Sequence, residues 1–221
     1  MKLGIYGSSG LGREIYEIAS RRNSISPKWS RIDFVDDFRG EGEYFGTTVI
    51  NFSTLVKLKD EYECLIAVGE PSVREILYSK LLNSGVKLTS LIDPSAIVSP
   101  SSKVQNGTII LEYATIHSGV TIGTNTLIQP FCLIGHDIQI GNHTVLSAYC
   151  VPGGGVVIGN RVFVGLHCAI KEGLVIGNDA IVAMGSVVFR DIPPASTVVG
   201  NPARITKGNS ESKVFTSTQK N

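Results

Sequence analysis

Four histidines are the side chains of this 221-residue sequence best suited to accepting a proton near neutral pH. The unperturbed pKa of an imidazole is about 6.5, so the neutral ring can take a proton from an attacking amine or hydroxyl at cellular pH. His136 is followed directly by Asp137, whose carboxylate can orient the ring or stabilise its protonated form if the backbone bends. The positions of the histidines in the fold decide which of them can do this chemistry. The four are His117, His136, His143 and His167.

A glycine-rich turn near the N-terminus is the first candidate binding element. Residues 2–6 have the pattern of a strand, and the turn Gly7-x-x-Gly10-x-Gly12 leads from it into a helix. Backbone N–H groups at a helix start can hold a phosphate, although this spacing differs from the G-x-G-x-x-G of dinucleotide sites. We predict substrate-binding roles for Gly7, Ser8, Ser9, Gly10 and Gly12.

Two further strand ends belong to the same predicted edge. The second strand ends at Asp36 and Asp37, which can accept hydrogen bonds from a ribose or a base; a solvated turn is the alternative interpretation. The segment ECLIAVG is a third strand that ends at Gly69, and Pro71 suits the first turn of the next helix. Alternating strands and helices predict a parallel sheet that binds ligands at the carboxyl ends of its strands. We assign residues 1–88 to this Rossmann-like α/β domain and include both aspartates and Gly69 among the substrate-binding residues.

A six-residue period marks the second part of the chain. An aliphatic residue recurs at every sixth position from Ile92 to Val188, with Pro152 as the one exception among seventeen. Four residues after each lies a small or aliphatic residue that faces the same side of an extended strand. Short strands joined by corners with this period close a triangular coil of 18 residues, the left-handed parallel β-helix. We assign this all-β domain to residues 89–206.

Residues 18 apart in sequence should form columns, in which each residue lies about 4.8 Å above the previous one. An inward column contains three cysteines, which we predict to pack as thiols rather than form disulfides or bind metal: Cys132, Cys150 and Cys168. A corner column contains four rings, predicted to stack: Tyr113, Phe131, Tyr149 and His167. His136 lies two residues after the inward Ile134 and therefore outside the packed core.

Composition and charge limit the function. The chain is 43% apolar and 18% charged with a net charge of +1, which predicts a folded protein without a nucleic-acid or anionic-membrane partner. No apolar run reaches the roughly 18 residues of a membrane span, and the N-terminus lacks the pattern of a signal peptide, so we expect a cytoplasmic protein. The polar composition of residues 207–221 predicts a disordered tail.

The order of the motifs resembles a known enzyme family. G-x-x-G-x-G-R, V-D-D, I-A-V-G-x-x-x-x-R, I-G-H-D and V-V-G-N-P-A-R follow one another as in the NeuD/PglD-type sugar acetyltransferases, over residues 2–206. The resemblance implies an acetyl-CoA-dependent N-acetyltransferase that acts on the 4-amino group of a nucleotide-linked 4-amino-4,6-dideoxy sugar, without a metal. It also implies a homotrimer with sites between neighbouring subunits. O-acetylation of sialic acid or a related sugar is the alternative within the family.

The same resemblance assigns residues to the acyl-transfer site. It makes His136 the general base and Asp137 its partner. Acyl transfer from a thioester passes through a tetrahedral oxyanion, which needs a hydrogen-bond donor. The amide of Gly154, 18 residues after His136, is the expected donor, with Gly155 beside it at the acetyl-CoA site.

Departures from the family and two other classes of function remain to be weighed. Leu11 and Val145 stand where many relatives carry histidines. We expect His143 to replace, in part, the histidine missing at Val145 as a substrate-binding residue; an ordinary exposed corner residue is the alternative interpretation. A zinc enzyme of the γ-carbonic anhydrase type needs three converging imidazoles, whereas these histidines fall in different columns and faces. A non-catalytic nucleotide-sugar-binding or scaffold protein is the other class, and a coenzyme A release assay separates it from an enzyme.

Overall fold

The computed structural model describes residues 1–209 and 213–215, and its N-terminal part is a six-stranded α/β sheet. The strands are β1 (Lys2–Tyr6), β2 (Ile32–Val35), β3 (Gly42–Tyr44), β4 (Thr47–Ile50), β5 (Tyr62–Ile66) and β6 (Lys87–Leu88). The helices are α1 (Gly10–Ile25), α2 (Phe52–Lys57) and α3 (Pro71–Asn83), with a 3₁₀ turn at Lys59–Glu61. The strand order is β3-β4-β2-β1-β5-β6, and every neighbouring pair is parallel except β3 and β4. The predicted parallel α/β domain is confirmed.

The central strand and the first helix pack closely because of two glycines. Leu3 and Ile5 on one face of β1 and Tyr6 on the other are buried, as expected for a strand covered on both faces. Gly7 has a φ of +107°, a conformation that costs little only for glycine. A Cβ at Gly12 would overlap with the carbonyl oxygen of Gly7, so a side chain there would push α1 off the turn. These contacts place the start of α1 at the carboxyl end of β1.

The second domain is the predicted left-handed parallel β-helix, built from seventeen two-residue strands. They are β7 (Leu91–Ile92), β8 (Ile97–Val98), β9 (Lys103–Val104), β10 (Ile109–Ile110), β11 (Thr115–Ile116), β12 (Thr121–Ile122), β13 (Leu127–Ile128), β14 (Leu133–Ile134), β15 (Gln139–Ile140), β16 (Val145–Leu146), β17 (Val151–Pro152), β18 (Val157–Ile158), β19 (Phe163–Val164), β20 (Ala169–Ile170), β21 (Val175–Ile176), β22 (Ile181–Val182) and β23 (Val187–Val188). Strands that are three apart in chain order lie side by side in parallel, which gives the β-helix three faces. The last two strands, β24 (Ser196–Val199) and β25 (Arg204–Gly208), form an antiparallel pair at the end of the helix.

We number the faces by their first strands, β7 for face 1, β8 for face 2 and β9 for face 3. Face 2 divides into β8–β11–β14 and β17–β20–β23, at the coil where Pro152 has no N–H to donate to the ladder. The inward residues form one continuous apolar core along the helix. The three column cysteines are buried free thiols, and the corner rings stack with centroid separations of 5.1, 4.9 and 4.7 Å. Both column predictions are confirmed.

The N-terminal domain covers one side of the β-helix. Apolar side chains of its sheet and of α1 form a shared buried cluster with the outward residues of face 1, among them Ile109, Leu127 and Val145. Helix α3 lies along the corner between faces 3 and 1, where Arg74 bonds to Asn125. The corner between faces 2 and 3 is the one opposite face 1, so it is the corner most distant from this domain.

The end of the chain extends past the predicted domain boundary. The β25 strand continues to Gly208, beyond the boundary at residue 206. The backbone N–H groups of Val214 and Phe215 donate to the Glu70 carboxylate, and the Phe215 ring packs edge-on against Phe163. The rest of the predicted disordered tail, 210–212 and 216–221, lies outside the described residues. Within the part of the chain that the structure describes, no helix is long and apolar enough to cross a membrane.

Candidate active site

His136 and Asp137 lie on the corner between faces 2 and 3, directly after β14. Asp137 has a φ of +57°, and this left-handed bend brings two adjacent side chains together. The distance between His136 Nδ1 and an Asp137 carboxylate oxygen is 2.9 Å. Both side chains remain open to solvent, with exposed fractions of 68% and 72%. The pair is therefore accessible to a substrate and has the geometry of an oriented imidazole.

The hydrogen bond to Asp137 decides which nitrogen can act as a base. A carboxylate accepts, so Nδ1 of His136 carries the proton and Nε2 presents its lone pair. Nε2 lies over Gly154, one coil further along: a Cβ at Gly154 would be 2.5 Å from this nitrogen. Only a residue without a side chain leaves the ring in this place. The 18-residue spacing thus puts a basic nitrogen directly against a glycine backbone.

The two glycines opposite the imidazole differ in their hydrogen bonds. The N–H of Gly155 donates to the His136 carbonyl oxygen at 2.8 Å, so it supports the corner backbone and is not free for a ligand. The N–H of Gly154 has no acceptor among the residues that the structure describes, whereas its carbonyl oxygen accepts from Gly173. Gly154 is half-exposed and next to Nε2. Of the two predicted glycines, it is the one with an amide available to an oxyanion.

The predicted phosphate turn lies at the carboxyl ends of β1 and β2. Ser8 donates from both its N–H and its hydroxyl to the same carboxylate oxygen of Asp36, and Arg39 Nε donates to the Ser8 hydroxyl at 2.8 Å. Ser9 is the N-cap of α1 and makes no side-chain cap hydrogen bond. The first amides of α1, at Gly10 and beyond, therefore lack a side-chain cap, as an anion site requires.

An open cavity of about 390 Å³ lies over this turn, lined by Ser8, Ser9, Asp36, Phe38 and Arg39. Partial burial pushes the pKa of Asp36 up, but hydrogen bonds from Ser8 and from the amides of Phe38 and Arg39 outweigh it, so the pKa is lowered. Asp36 is therefore an anion that orders the turn. Sequence reasoning missed Phe38, which is fully exposed, and Arg39, whose guanidinium lies 3.6 Å from the Tyr44 ring centroid. An aromatic and a cation directly after the two aspartates were the available signal.

Asp37 faces away from this cavity and is engaged inside the domain. Its carboxylate accepts from Tyr6 Oη at 2.6 Å, Lys80 Nζ at 2.9 Å and the Phe52 amide at 2.8 Å. Burial raises its pKa, but the hydrogen bonds from Tyr6 and Lys80 dominate and lower it. For Tyr6, burial and the bond to Asp37 both raise the pKa. Asp37 thus fixes the strand ends instead of extending toward the Ser8 turn.

Gly69 and His143 fall in two different parts of the domain interface. Gly69 lines a cavity of about 490 Å³ between the domains, together with Ser147, Phe163 and Phe215. His143 is only 8% exposed, bonded through Nδ1 to Asn125 and packed against the Tyr78 ring. The pKa of His143 is lowered, because burial disfavours the charged ring more than the nearby Glu75 carboxylate favours it. These contacts place His143 at the interface between the two domains.

Metal ligation finds no support in this geometry. His136 is paired with Asp137, His143 with Asn125, and His167 is stacked on Tyr149 at 4.7 Å. No group of three or more histidine, cysteine or carboxylate side chains is arranged to hold a metal ion in the described ranges, 1–209 and 213–215. The residues that converge on one point are the imidazole of His136 and the backbone of Gly154.

Comparison with known families agrees with both halves of this architecture. Residues 2–81 match the model of the PglD N-terminal domain, and residues 119–151 match that of the bacterial transferase hexapeptide repeat. The predicted resemblance to PglD-type sugar acetyltransferases is thereby confirmed.

Three relatives show how far the similarity extends. UDP-N-acetylbacillosamine N-acetyltransferase of Bacillus subtilis (strain 168) is 33% identical over 107 residues, which cover 48% of this chain and about half, 50%, of that protein. WeeI from Acinetobacter baumannii AYE has a TM-score of 0.88 at 27% identity and covers 93% of this chain and 100% of its own. PerB from Caulobacter crescentus, solved with CoA and GDP-perosamine, has a TM-score of 0.86 at 27% identity over 94% of this chain and 98% of its own.

Proposed function

We propose that this protein is an N-acetyltransferase that moves the acetyl group of acetyl-CoA to the 4-amino group of a nucleotide-linked 4-amino-4,6-dideoxy sugar. The observation that carries the proposal is the exposed His136–Asp137 pair with Nε2 over the open amide of Gly154. The relative from Bacillus subtilis acetylates nitrogen, and the Caulobacter crescentus structure contains CoA and a GDP-linked amino sugar. We also propose that the reaction takes place in the cytoplasm.

The chemistry follows from the two atoms on this corner. The lone pair of the sugar amine attacks the thioester carbonyl carbon while His136 Nε2 takes the proton that the nitrogen loses. Asp137 holds the ring by Nδ1 and stabilises the imidazolium that forms. The Gly154 N–H donates to the oxyanion of the tetrahedral intermediate. When the intermediate collapses, the C–S bond breaks and the amide remains on the sugar. The sulfur of CoA leaves as a thiolate and takes the proton from the His136 imidazolium, which restores the neutral base.

The acceptor is proposed to bind by its nucleotide at the Ser8 turn. The uncapped start of α1 suits the diphosphate, and Phe38 and Arg39 offer a ring and a cation to the base or the phosphates. The sugar then extends toward Gly69 and the interdomain cavity of about 490 Å³. This order leaves Asp37 and His143 out of the substrate contacts.

We further propose a homotrimer, because one chain cannot bring its own acceptor to its own base. The N-terminal domain covers face 1, whereas His136 lies on the opposite corner. Between them, face 2 presents exposed apolar side chains at Ile97, Leu133 and Val151, continuous with the stacked rings of the neighbouring corner. An apolar surface of this kind is typical of an interface. A neighbouring copy packed there would place its nucleotide domain beside this His136.

The test is a substrate panel with purified full-length protein. Acetyl-CoA is supplied with UDP-, GDP- and dTDP-linked 4-amino-4,6-dideoxyhexoses, and in parallel with sialic acid, and CoA release and product mass are measured. We expect a mass gain of one acetyl group on one of the amino sugars. Acetylation of sialic acid alone would assign the protein to O-acetylation. If no acceptor in the panel leads to CoA release, the proposal is rejected.

Light scattering of the parent and of Leu133→Asp tests the trimer: a monomeric parent would contradict it.

A further inference from the structure

Arg74 of α3 is completely buried and has only neutral hydrogen-bond partners. Its exposed fraction is 0%, and its guanidinium donates to carbonyl and amide oxygens rather than to a carboxylate. Burial lowers the pKa of this guanidinium to about 9, so it stays charged at neutral pH. A buried charge is expensive, and apolar residues of similar volume often serve stability equally well. The placement of its partners indicates what the charge is used for.

One side of the guanidinium holds the loop between β5 and α3. Nη1 donates to the carbonyl oxygen of Ile66 at 2.7 Å and to that of Val68 at 3.0 Å. These residues flank Ala67, whose carbonyl lies against Gly7, and they precede Gly69 at the interdomain cavity. Arg74 therefore fixes the stretch of backbone that connects the nucleotide turn with the cavity.

The other side holds the β-helix. Nε donates to the Asn125 carbonyl oxygen at 2.9 Å, Nη2 donates to its side-chain oxygen at 2.7 Å, and the Asn125 amide donates back to the Arg74 carbonyl at 3.0 Å. The Asn125 amide nitrogen also lies 3.0 Å from His143 Nδ1 and donates its second hydrogen there. Neutral His143 therefore accepts through Nδ1 and carries its proton on Nε2. His143 follows His136 on the same coil by seven residues. The network thus reaches the coil that carries the base.

We propose that Arg74 is a positioning residue. It fixes the acceptor-binding loop, residues 66–69, at one position along the β-helix axis, and this position aligns the acceptor amine with His136. The inference rests on the proposed function. In the proposed trimer the β-helices contact one another, so a loop fixed to its own β-helix is also fixed relative to the neighbour's base. Planar donors on two edges suit this task, because one guanidinium can hold two backbones at once.

Arg161 provides a matched control at the same corner. It also bridges α3 to the β-helix, donating to Glu75 at 3.0 Å and to Asp179, but it bonds to no atom of the loop at residues 66–69. Arg74→Met keeps the length and apolar volume of the side chain and removes its donors. Arg74→Lys keeps the charge and one donor group, so it provides a folded variant if the methionine variant is unstable.

The experiment measures steady-state constants and amide hydrogen exchange in the full-length protein. With the best acceptor of the UDP, GDP and dTDP panel, Arg74→Met should raise KM for the acceptor about tenfold or more and leave KM for acetyl-CoA within about twofold. Arg74→Lys should give an intermediate value, and Arg161→Met should be close to the parent. Amides of residues 66–70 should exchange faster in Arg74→Met, to a smaller extent in Arg74→Lys, and at the parental rate in Arg161→Met.

The outcomes separate this inference from the proposed function. Equal changes in both KM values, or the same change in Arg161→Met, would overturn it, since either indicates general loosening of the domain contact. Unchanged exchange of residues 66–70 in Arg74→Met or Arg74→Lys would also overturn it. If the parent acetylates none of the three acceptors, the proposed function fails, and the exchange data still decide whether Arg74 places the loop.

Discussion

Replacing Gly154 with alanine is a one-carbon test of the position of the His136 ring. The new Cβ would lie 2.5 Å from Nε2 and 2.6 Å from Cε1, and ordinary van der Waals contact begins at 3.4 Å. The ring must therefore withdraw by about 0.9 Å, the difference between 3.4 and 2.5 Å. The backbone N–H of residue 154 is retained, so the expected oxyanion donor stays in place. The change thus displaces the proposed base without removing a functional group.

The size of the effect follows from this displacement. A misplacement of about 1 Å at a reacting group can lower the rate about 10²-fold, which corresponds to about 2.7 kcal/mol of activation free energy. The His136 side chain is 68% exposed and can swing into solvent, so we expect the unfolding free energy to change by no more than about 0.5 kcal/mol. The assay is CoA release at saturating acetyl-CoA and acceptor, with thermal unfolding of the same samples.

A double-mutant cycle shows whether the loss acts through the imidazole. In the His136→Ala background the added methyl group meets no ring, so Gly154→Ala should cost less than about threefold there. A kcat for Gly154→Ala within about threefold of the parent would refute the reasoning, because the rate would then not depend on the position of the His136 ring. Equal losses in both backgrounds would refute it as well.

Two further predictions concern buried groups. Burial raises the pKa of Cys64 to about 12, and Cys132, Cys150 and Cys168 fill the β-helix core. A thiol reagent should therefore label none of the four in the native protein and all four in urea. Rapid native labelling of the three β-helix cysteines would contradict the repeat. His143 has a pKa below its ordinary 6.5, so the unfolded chain binds its proton first. Its contribution to stability should be complete above pH 6.5 and decline as the pH falls below it. The fall in urea midpoint between pH 7.5 and 5.5 should be smaller in His143→Gln; an equal fall would count against this.

The β-helix was predictable in detail because a strict period leaves little freedom. Stepping by six from Ile92 places every two-residue strand, and stepping by 18 places the cysteine column and the ring stack. The same arithmetic puts Gly154 one coil above His136, which the structure confirms. Local spacing is sufficient here since each coil contacts only its neighbours.

Contacts between the domains were not predictable in the same way. His143 occupies a corner position that is exposed in an isolated β-helix, and only the docking of α3 buries it against Tyr78. The sequence pattern also does not predict the direction of a side chain at a strand end. Asp36 and Asp37 are adjacent but point to opposite sides of the strand end: Asp36 bonds to Ser8, and Asp37 bonds to Tyr6 and Lys80. Both depend on residues distant in sequence.

The most direct measurement for the central claim is the turnover of His136→Ala with acetyl-CoA and the acceptor selected from the nucleotide amino-sugar panel. Loss of a positioned proton acceptor should lower kcat by about 10²–10⁴ and leave KM for acetyl-CoA and the oligomeric state nearly unchanged, since the ring is exposed and fills no core volume. Residual activity of the variant should rise with pH as the free amine accumulates. A variant that keeps near-parental kcat at neutral pH would contradict the assignment of His136 as the base.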